Sequence, residues 1–149
     1  MNRKTNIFDK IGTLISGYKG YQERDSRREC DRQLREQIAD KLSETEKSIN
    51  SFIEVSELSE LAEIEKTRKK INNLKDLIKY SPYGASAFFS DSVIKNDELE
   101  NIYQMDLDIF DATENLQEGL TANNLENIKQ DIQSLENSIH KRNQYLKDL

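Results

Sequence analysis

Asp106 is the residue of this chain with the greatest chemical reach. It falls at an inward position of a helical pattern, between Tyr103 and Ile109 or Phe110, and those neighbours predict burial. A buried carboxylate needs a partner, because an isolated charge is costly in an apolar interior. Arg27, three residues before Cys30 and so on the inward stripe of its own helix, is the expected partner. The pair reads first as a structural ion pair that fixes helix register, with a catalytic acid and a solvated edge position as the alternatives.

The other chemistry-bearing residue types are scattered. His140 is the single histidine, and its nearest upstream glutamate, Glu136, lies four residues away. A di-iron helical bundle needs inward glutamates and Glu-x-x-His pairs on facing helices, so that reading fails on ligand count and His140 reads as a surface residue. Cys30 is the single cysteine, which rules out an intramolecular disulfide, and its i+4 spacing to Leu34 suits a small buried side chain. No nucleophile–base pair, phosphate-cradling glycine loop or zinc spacing is present. The expectation is therefore a non-enzymatic protein with no catalytic residue, metal or cofactor.

These residues must be positioned by helices. The chain is 34% charged and 35% hydrophobic, too polar for a broad core, yet its apolar residues recur at steps of three and four. Long, thin helices satisfy both facts. One proline, Pro82, and five glycines leave little to interrupt them, and 149 residues fit one domain.

Five segments emerge. Ile7, Phe8, Ile11, Leu14, Ile15 and Tyr18 form one face of a short amphipathic helix over 5–18, which Gly17 and Gly20 break. From about residue 22 a long seam runs through Cys30, Leu34, Ile38, Leu42, Thr45, Ile49 and Phe52. After a phase shift, Leu61, Ile64, Ile71, Leu74 and Ile78 mark a third helix, with Arg68 at a seam position and Ser56 or Ser59 as caps. The stretch SPYGASAFFSDS at 81–92 reads as an aromatic loop. Beyond it, Leu99, Ile102, Tyr103, Ile109, Phe110, Thr113 and Leu116 define an acidic helix that should stop at Gly119. The last helix opens with Asn123 and Glu126 in capping-box spacing and carries Leu125, Ile128, Ile132, Leu135, Ile139, Arg142, Leu146 and Leu149. The expected fold is all-α: an antiparallel up-and-down four-helix bundle over 22–149 with an additional short N-terminal amphipathic helix, in one domain.

Charge is unevenly placed. Residues 1–36 hold nine Lys or Arg against six acids, and residues 37–149 hold thirteen against twenty-two. That polarity argues against nucleic acid as a partner of the whole surface, while a basic head can meet an anionic membrane or an acidic protein. Within the head, Glu23–Arg27 and Asp31–Arg35 have i,i+4 spacing, and Arg24, Arg28 and Arg32 read mainly as a solvated face. No run approaches a spanning helix, and the N-terminus is too interrupted for a secretory signal, so the cytoplasm is the default compartment.

Two apolar features are left for function. The stripe Ile7, Phe8, Ile11, Leu14, Ile15 and Tyr18, with Lys10 and Lys19 around it, fits a helix docked on its own bundle or in a dimer, and it also fits an interfacial membrane helix. Tyr80, Tyr83, Phe88 and Phe89 either cap the bundle or present a partner patch. The reading is an interaction or scaffold protein acting through a protein partner or a homo-oligomer; the alternative is a peripheral protein that binds anionic lipid through its first helix.

The string GYKGYQERDSRRECDRQLREQIADKL, with YGASAFFSDSVIKNDELENIYQMD further on, resembles bacterial helical proteins with no assigned activity. That resemblance implies a helical fold and supplies no catalytic residue. Separately, IFDKIGTLI is similar to the opening helix of phage-shock-protein-A-type membrane-stress proteins, which implies a membrane-surface role for that helix.

Overall fold

The structure, a computed structural model, describes residues 10–15, 17–55, 57–80, 94–121 and 125–149. Ile7, Phe8, Ser56, Asn123 and the aromatic stretch with Tyr83, Phe88 and Phe89 lie outside these residues. Among the described residues the chain is helical, without strands. A short helix at 10–14 (α1) precedes α2 (Arg24–Val55), a 3-10 turn at Leu58–Glu60, α3 (Leu61–Lys79), α4 (Asn96–Thr121) and α5 (Leu125–Asp148).

The helices form where the apolar period predicts them, and they bury the predicted faces. In α2 the buried positions include Cys30, Leu34, Ile38, Leu42, Thr45 and Ile49, and in α5 they are Ile128, Ile132, Leu135, Ile139, Arg142 and Leu146. Such three-and-four spacing keeps one stripe of each helix facing its neighbours. The seam threonines are tolerated because each hydroxyl donates to the carbonyl four residues back: Thr45 to Lys41, Thr67 to Glu63 and Thr113 to Ile109.

Three local expectations are corrected. Arg68 is not an inward seam residue. Thr67 takes that position between Ile64 and Ile71, and Arg68 turns outward to Glu65 and to Glu46 of α2. Ser59 does not cap α3, whose N-cap is Glu60 with no side-chain capping bond. Gly119 does not end α4, which runs on to Thr121. A Cβ there would come within 3.1 Å of Asp131 Oδ2 on α5, so the glycine serves a close helix approach instead of a stop. The start of α4 is set by Glu98, whose Oε1 accepts the N–H of Lys95 at 3.1 Å, the third-position half of a capping box.

Packing does not follow chain order. The helix α2 packs on α3 and α4, and α5 packs on α4 and α3, whereas the consecutive helices α3 and α4 are not neighbours. The main apolar core draws on all of these helices and on Ile11 and Ile15. A smaller cluster at one end gathers Tyr21, Cys30, Ile94, Leu99, Ile102 and Leu146. The N-terminal stripe thus splits: Ile11 and Ile15 are buried at 0% and 4% exposure, and Leu14 and Tyr18 pack half-buried against the core.

Core truncation should be costly and surface truncation should not. Leu135→Ala removes a fully buried side chain and should lower stability by about 3 kcal/mol, a melting-temperature loss on the order of 10 °C. Leu58, 84% exposed in the 3-10 turn, should tolerate alanine within about 0.5 kcal/mol. Paired thermal and urea melts of the two variants measure the contrast.

Candidate functional site

Between the two apolar clusters lies a layer of buried charge. Each element that crosses it changes residue type there. In α2, Asp31 separates Cys30 from Leu34; in α4, Asp106 separates Ile102 from Ile109; in α5, Arg142 separates Leu146 from Ile139. Asp31, Asp106 and Arg142 are all essentially inaccessible, and Tyr21, on the segment between α1 and α2, joins them at 0% exposure.

The geometry centres on the Arg142 guanidinium. Its Nε donates to Asp106 Oδ1 at 2.5 Å, and its Nη2 lies 2.9 Å from Asp31 Oδ1 and 3.2 Å from the Tyr21 hydroxyl. The Tyr21 hydroxyl donates in turn to Asp106 Oδ2 at 2.5 Å. Asp31 is also held by Arg35, whose Nε donates to Oδ2 at 2.9 Å, while Arg35 Nη1 donates to the Lys79 carbonyl that ends α3. The two carboxylates are therefore balanced by two guanidinium groups, and both oxygens of each accept a bond. This satisfaction lets the charges remain buried.

Asp106 is paired with Arg142. Arg27 is buried in the same region, but its Nε donates to the Tyr21 backbone carbonyl at 2.9 Å. The reason lies in connectivity. Asp106 and Arg142 lie at similar separations from the end of α4 at Thr121 and the start of α5 at Leu125, so the α4–α5 pairing brings them together, as it brings Asn101 to Tyr145. Arg142 stood on the predicted seam of α5, so the rule that a charge on an apolar seam needs a partner applied to both residues. Tyr21 was not legible in the pattern, since it follows the glycine break and belongs to no helical stripe.

Tyr21 is itself fully engaged. Its N–H donates to the Tyr103 hydroxyl at 2.6 Å, its ring stacks on Tyr103 with centroids 5.2 Å apart, and Tyr18 meets it edge-on at 6.1 Å. Burial pushes all three phenols above the ordinary tyrosine value, Asp106 adding to the rise in each, so they stay protonated and can donate. Burial likewise pushes the Asp106 carboxyl up, opposed by the Arg142 charge and by the bonds from Tyr21 and Arg142.

The other predicted positions lie apart from this cluster. His140 is exposed, 3.7 Å from Glu136. Arg32 pairs with Glu29 and Glu36 on the solvated face. Cys30 lines a cleft of about 420 Å³ with Lys19, Ser26 and Glu29. Burial raises its thiol, outweighing the backbone bonds from Lys19 and Gly20, so the sulfur is held as the weakly nucleophilic thiol. No group of three His, Cys, Asp or Glu residues that would hold a metal ion occurs among the described residues.

Comparison with protein-family models, curated proteins and solved structures finds no match to this chain. Chemistry alone must then interpret the cluster. Its carboxylates and guanidinium groups are mutually saturated, and Asp106, Asp31 and Arg142 do not line the cleft at Cys30. A group locked in this way holds helices in register.

Two outcomes follow. Arg142→Met leaves Asp31 and Asp106 buried without their shared guanidinium and should cost about 4 kcal/mol near neutral pH. Removing the arginine removes what holds the raised Asp106 carboxyl down. A folded-state acid raised above its unfolded value loses stability as pH rises through the folded value. The cost should therefore shrink as pH falls from 7 toward 4, measured by urea denaturation across that range. At the alkaline end, Tyr18, Tyr21 and Tyr103 should ionise only as the protein unfolds. Their raised values make stability fall as pH climbs past the ordinary tyrosine value near 10, so part of the phenolate absorbance should appear together with loss of helical circular dichroism.

Proposed function

We propose that this chain is a non-enzymatic interaction or scaffold protein of the cytoplasm, built as a four-helix bundle of two antiparallel pairs, α2–α3 and α4–α5, laid side by side instead of in up-and-down order, with the N-terminal helix packed on it. Helix direction in the bundle is supported by the ion-pair register. Arg35 reaches the end of α3 at Lys79 while Glu46 meets Lys75 and Arg68, as expected for opposed helices, and Lys41 of α2 meets Glu114 of α4. In this arrangement α2 and α4 run the same way side by side, and α3 and α4 stand at opposite corners.

The observation that carries the interaction reading is Tyr80. It ends α3 with 68% of its surface exposed, its ring carrying Lys79 Nζ at 5.6 Å, and the sequence continues directly into Tyr83, Phe88 and Phe89. An exposed tyrosine that the sequence follows with further aromatics is the material of a binding hot spot. A second copy or another protein is the occupant in this reading. The triple variant Tyr80→Ser, Phe88→Ser, Phe89→Ser should keep its melting temperature and lose association. Sedimentation equilibrium over a wide concentration range tests the homo-oligomer, and cross-linking in extract against the triple variant tests a separate protein. A wild-type chain that is monomeric throughout and cross-links to the same proteins as the variant overturns the proposal.

A second reading, peripheral binding to anionic lipid, is favoured by one arrangement. Lys10 and Lys19 are exposed on the outer side of a segment whose apolar residues Ile11 and Ile15 face inward. No helix among the described residues is long and apolar enough to cross a membrane, so any such contact would lie along the surface.

A further inference from the structure

Residues 10–21 differ from the rest of the fold in how they are held. Beyond the helical turn at 10–14, their backbone bonds run from Ile15 N–H to the Ile11 carbonyl at 3.1 Å and from Tyr18 N–H to the Ile15 carbonyl at 3.3 Å. Gly17 and Gly20, at φ 74° and 84°, turn the chain on either side of Tyr18 and Lys19. Those left-handed conformations are ones glycine adopts without strain, so the route is set by two single-residue bends. Side chains hold the segment in place. Ile11 and Ile15 enter the main core, the backbones of Lys19 and Gly20 bond to Cys30, and Tyr21 bonds through its N–H, carbonyl and hydroxyl to Tyr103, Arg27 and the Asp106–Arg142 pair respectively.

The segment also lies over charge of opposite sign. Asp111 on the outer face of α4 is pushed up by burial and by Glu114 and Asp108, and Lys10 opposes that rise. Lys10 therefore lies within electrostatic reach of the acidic row Asp108, Asp111 and Glu114 on α4. Anionic lipid would bind the same lysines and the same apolar side chains. Docking on α4 and insertion into a membrane surface thus draw on one set of residues and exclude each other.

We propose that residues 10–21 form an autoinhibitory strap latched by the Tyr21 hydroxyl, and that its release bares Ile11, Leu14 and Ile15 beside the already exposed Lys10 and Lys19 for an anionic membrane surface. This rests on the lipid reading above for the occupant, whereas the latch rests on the Tyr21 contacts alone. The acidic row stands in for lipid in the closed form. Because the hydroxyl is shared with the charge layer, strap release is coupled to the contacts that hold helix register.

The test uses the full chain, Tyr21→Phe, which keeps the ring against Tyr103 and removes only the hydroxyl, and Asp111→Lys, an exposed change that repels Lys10 and spares the core. Amide hydrogen exchange in 10–21 should quicken roughly tenfold in Tyr21→Phe, as expected for loss of one hydrogen bond to a charged group, with α5 changed far less. Co-sedimentation with vesicles of phosphatidylglycerol and phosphatidylcholine in equal parts at low salt should rise several-fold in both variants. Adding Ile11→Glu and Ile15→Glu should abolish that gain, and pure phosphatidylcholine should show none. Exchange quickening equally in 10–21 and α5 overturns the latch. Selective loosening without vesicle uptake overturns the lipid occupant, and so does a gain in self-association in its place.

Discussion

One guanidinium organises this fold. The helices α2 and α5 are not neighbours, yet Arg142 of α5 reaches across the interior to Asp31 of α2 while gripping Asp106 of α4. Its planar fork of donors can serve two carboxylates and a phenol from one position, which a lysine ammonium on its flexible stem would not hold in a fixed arrangement. From Asp31 the chain of contacts continues through Arg35 to the last carbonyl of α3, and from Asp106 through Tyr21 to the N-terminal segment. Every long helix is thereby tied to one buried charge.

That arrangement supplies specificity more than stability. The isoleucines and leucines of the two apolar clusters carry the favourable burial, and a buried ion network seldom adds to it once desolvation is counted. Its position between the clusters is what matters. Sliding any helix by one turn would place Asp31, Asp106 or Arg142 against aliphatic side chains and put an aliphatic side chain in the charge layer. Heptad-like aliphatic stripes alone tolerate such slips, since one leucine replaces another at little cost. A single charged layer makes one register far better than the rest. The seam threonines do not discriminate in this way, because Thr45, Thr67 and Thr113 satisfy their hydroxyls within their own helices.

The helices were legible in the sequence because burial imposes a period of three and four that residues such as Ile128, Ile132, Leu135 and Ile139 display openly. The burial of Asp106 followed from the same pattern. Its partner did not, since a stripe says which side of a helix faces inward and nothing about which helix lies opposite. Arg27 and Arg142 were equally inward by pattern, and only the closeness of α4 and α5 selects the second. Gly119 shows a related limit: glycine near a helix end suggests a stop, while here α4 runs on past it, and the neighbour a Cβ would meet, Asp131 of α5, is set by packing. Arg68 shows how local the phase is, for one residue's rotation exchanges a seam arginine for Thr67. Tyr21 lay beyond any periodic argument. Its burial comes from two glycine bends that deliver a non-helical residue to the interior.

Tyr21 joins two parts of the protein with different physical characters. On one side are helices fixed by interdigitated aliphatic residues and a balanced charge layer. On the other is a short helix followed by a glycine-bent stretch, held by Ile11 and Ile15 in the core, by the bonds from Lys19 and Gly20 to Cys30 and by the polar groups of Tyr21. The phenol is suited to this joint. It stays protonated because burial raises it, so it donates to Asp106 while accepting from Arg142, and it adds no net charge to a layer already balanced. A serine at this position would lack the ring that stacks on Tyr103, and a carboxylate would add a third negative charge to the layer. The position calls for an aromatic ring with a neutral donor at its tip, and tyrosine is the amino acid that supplies both.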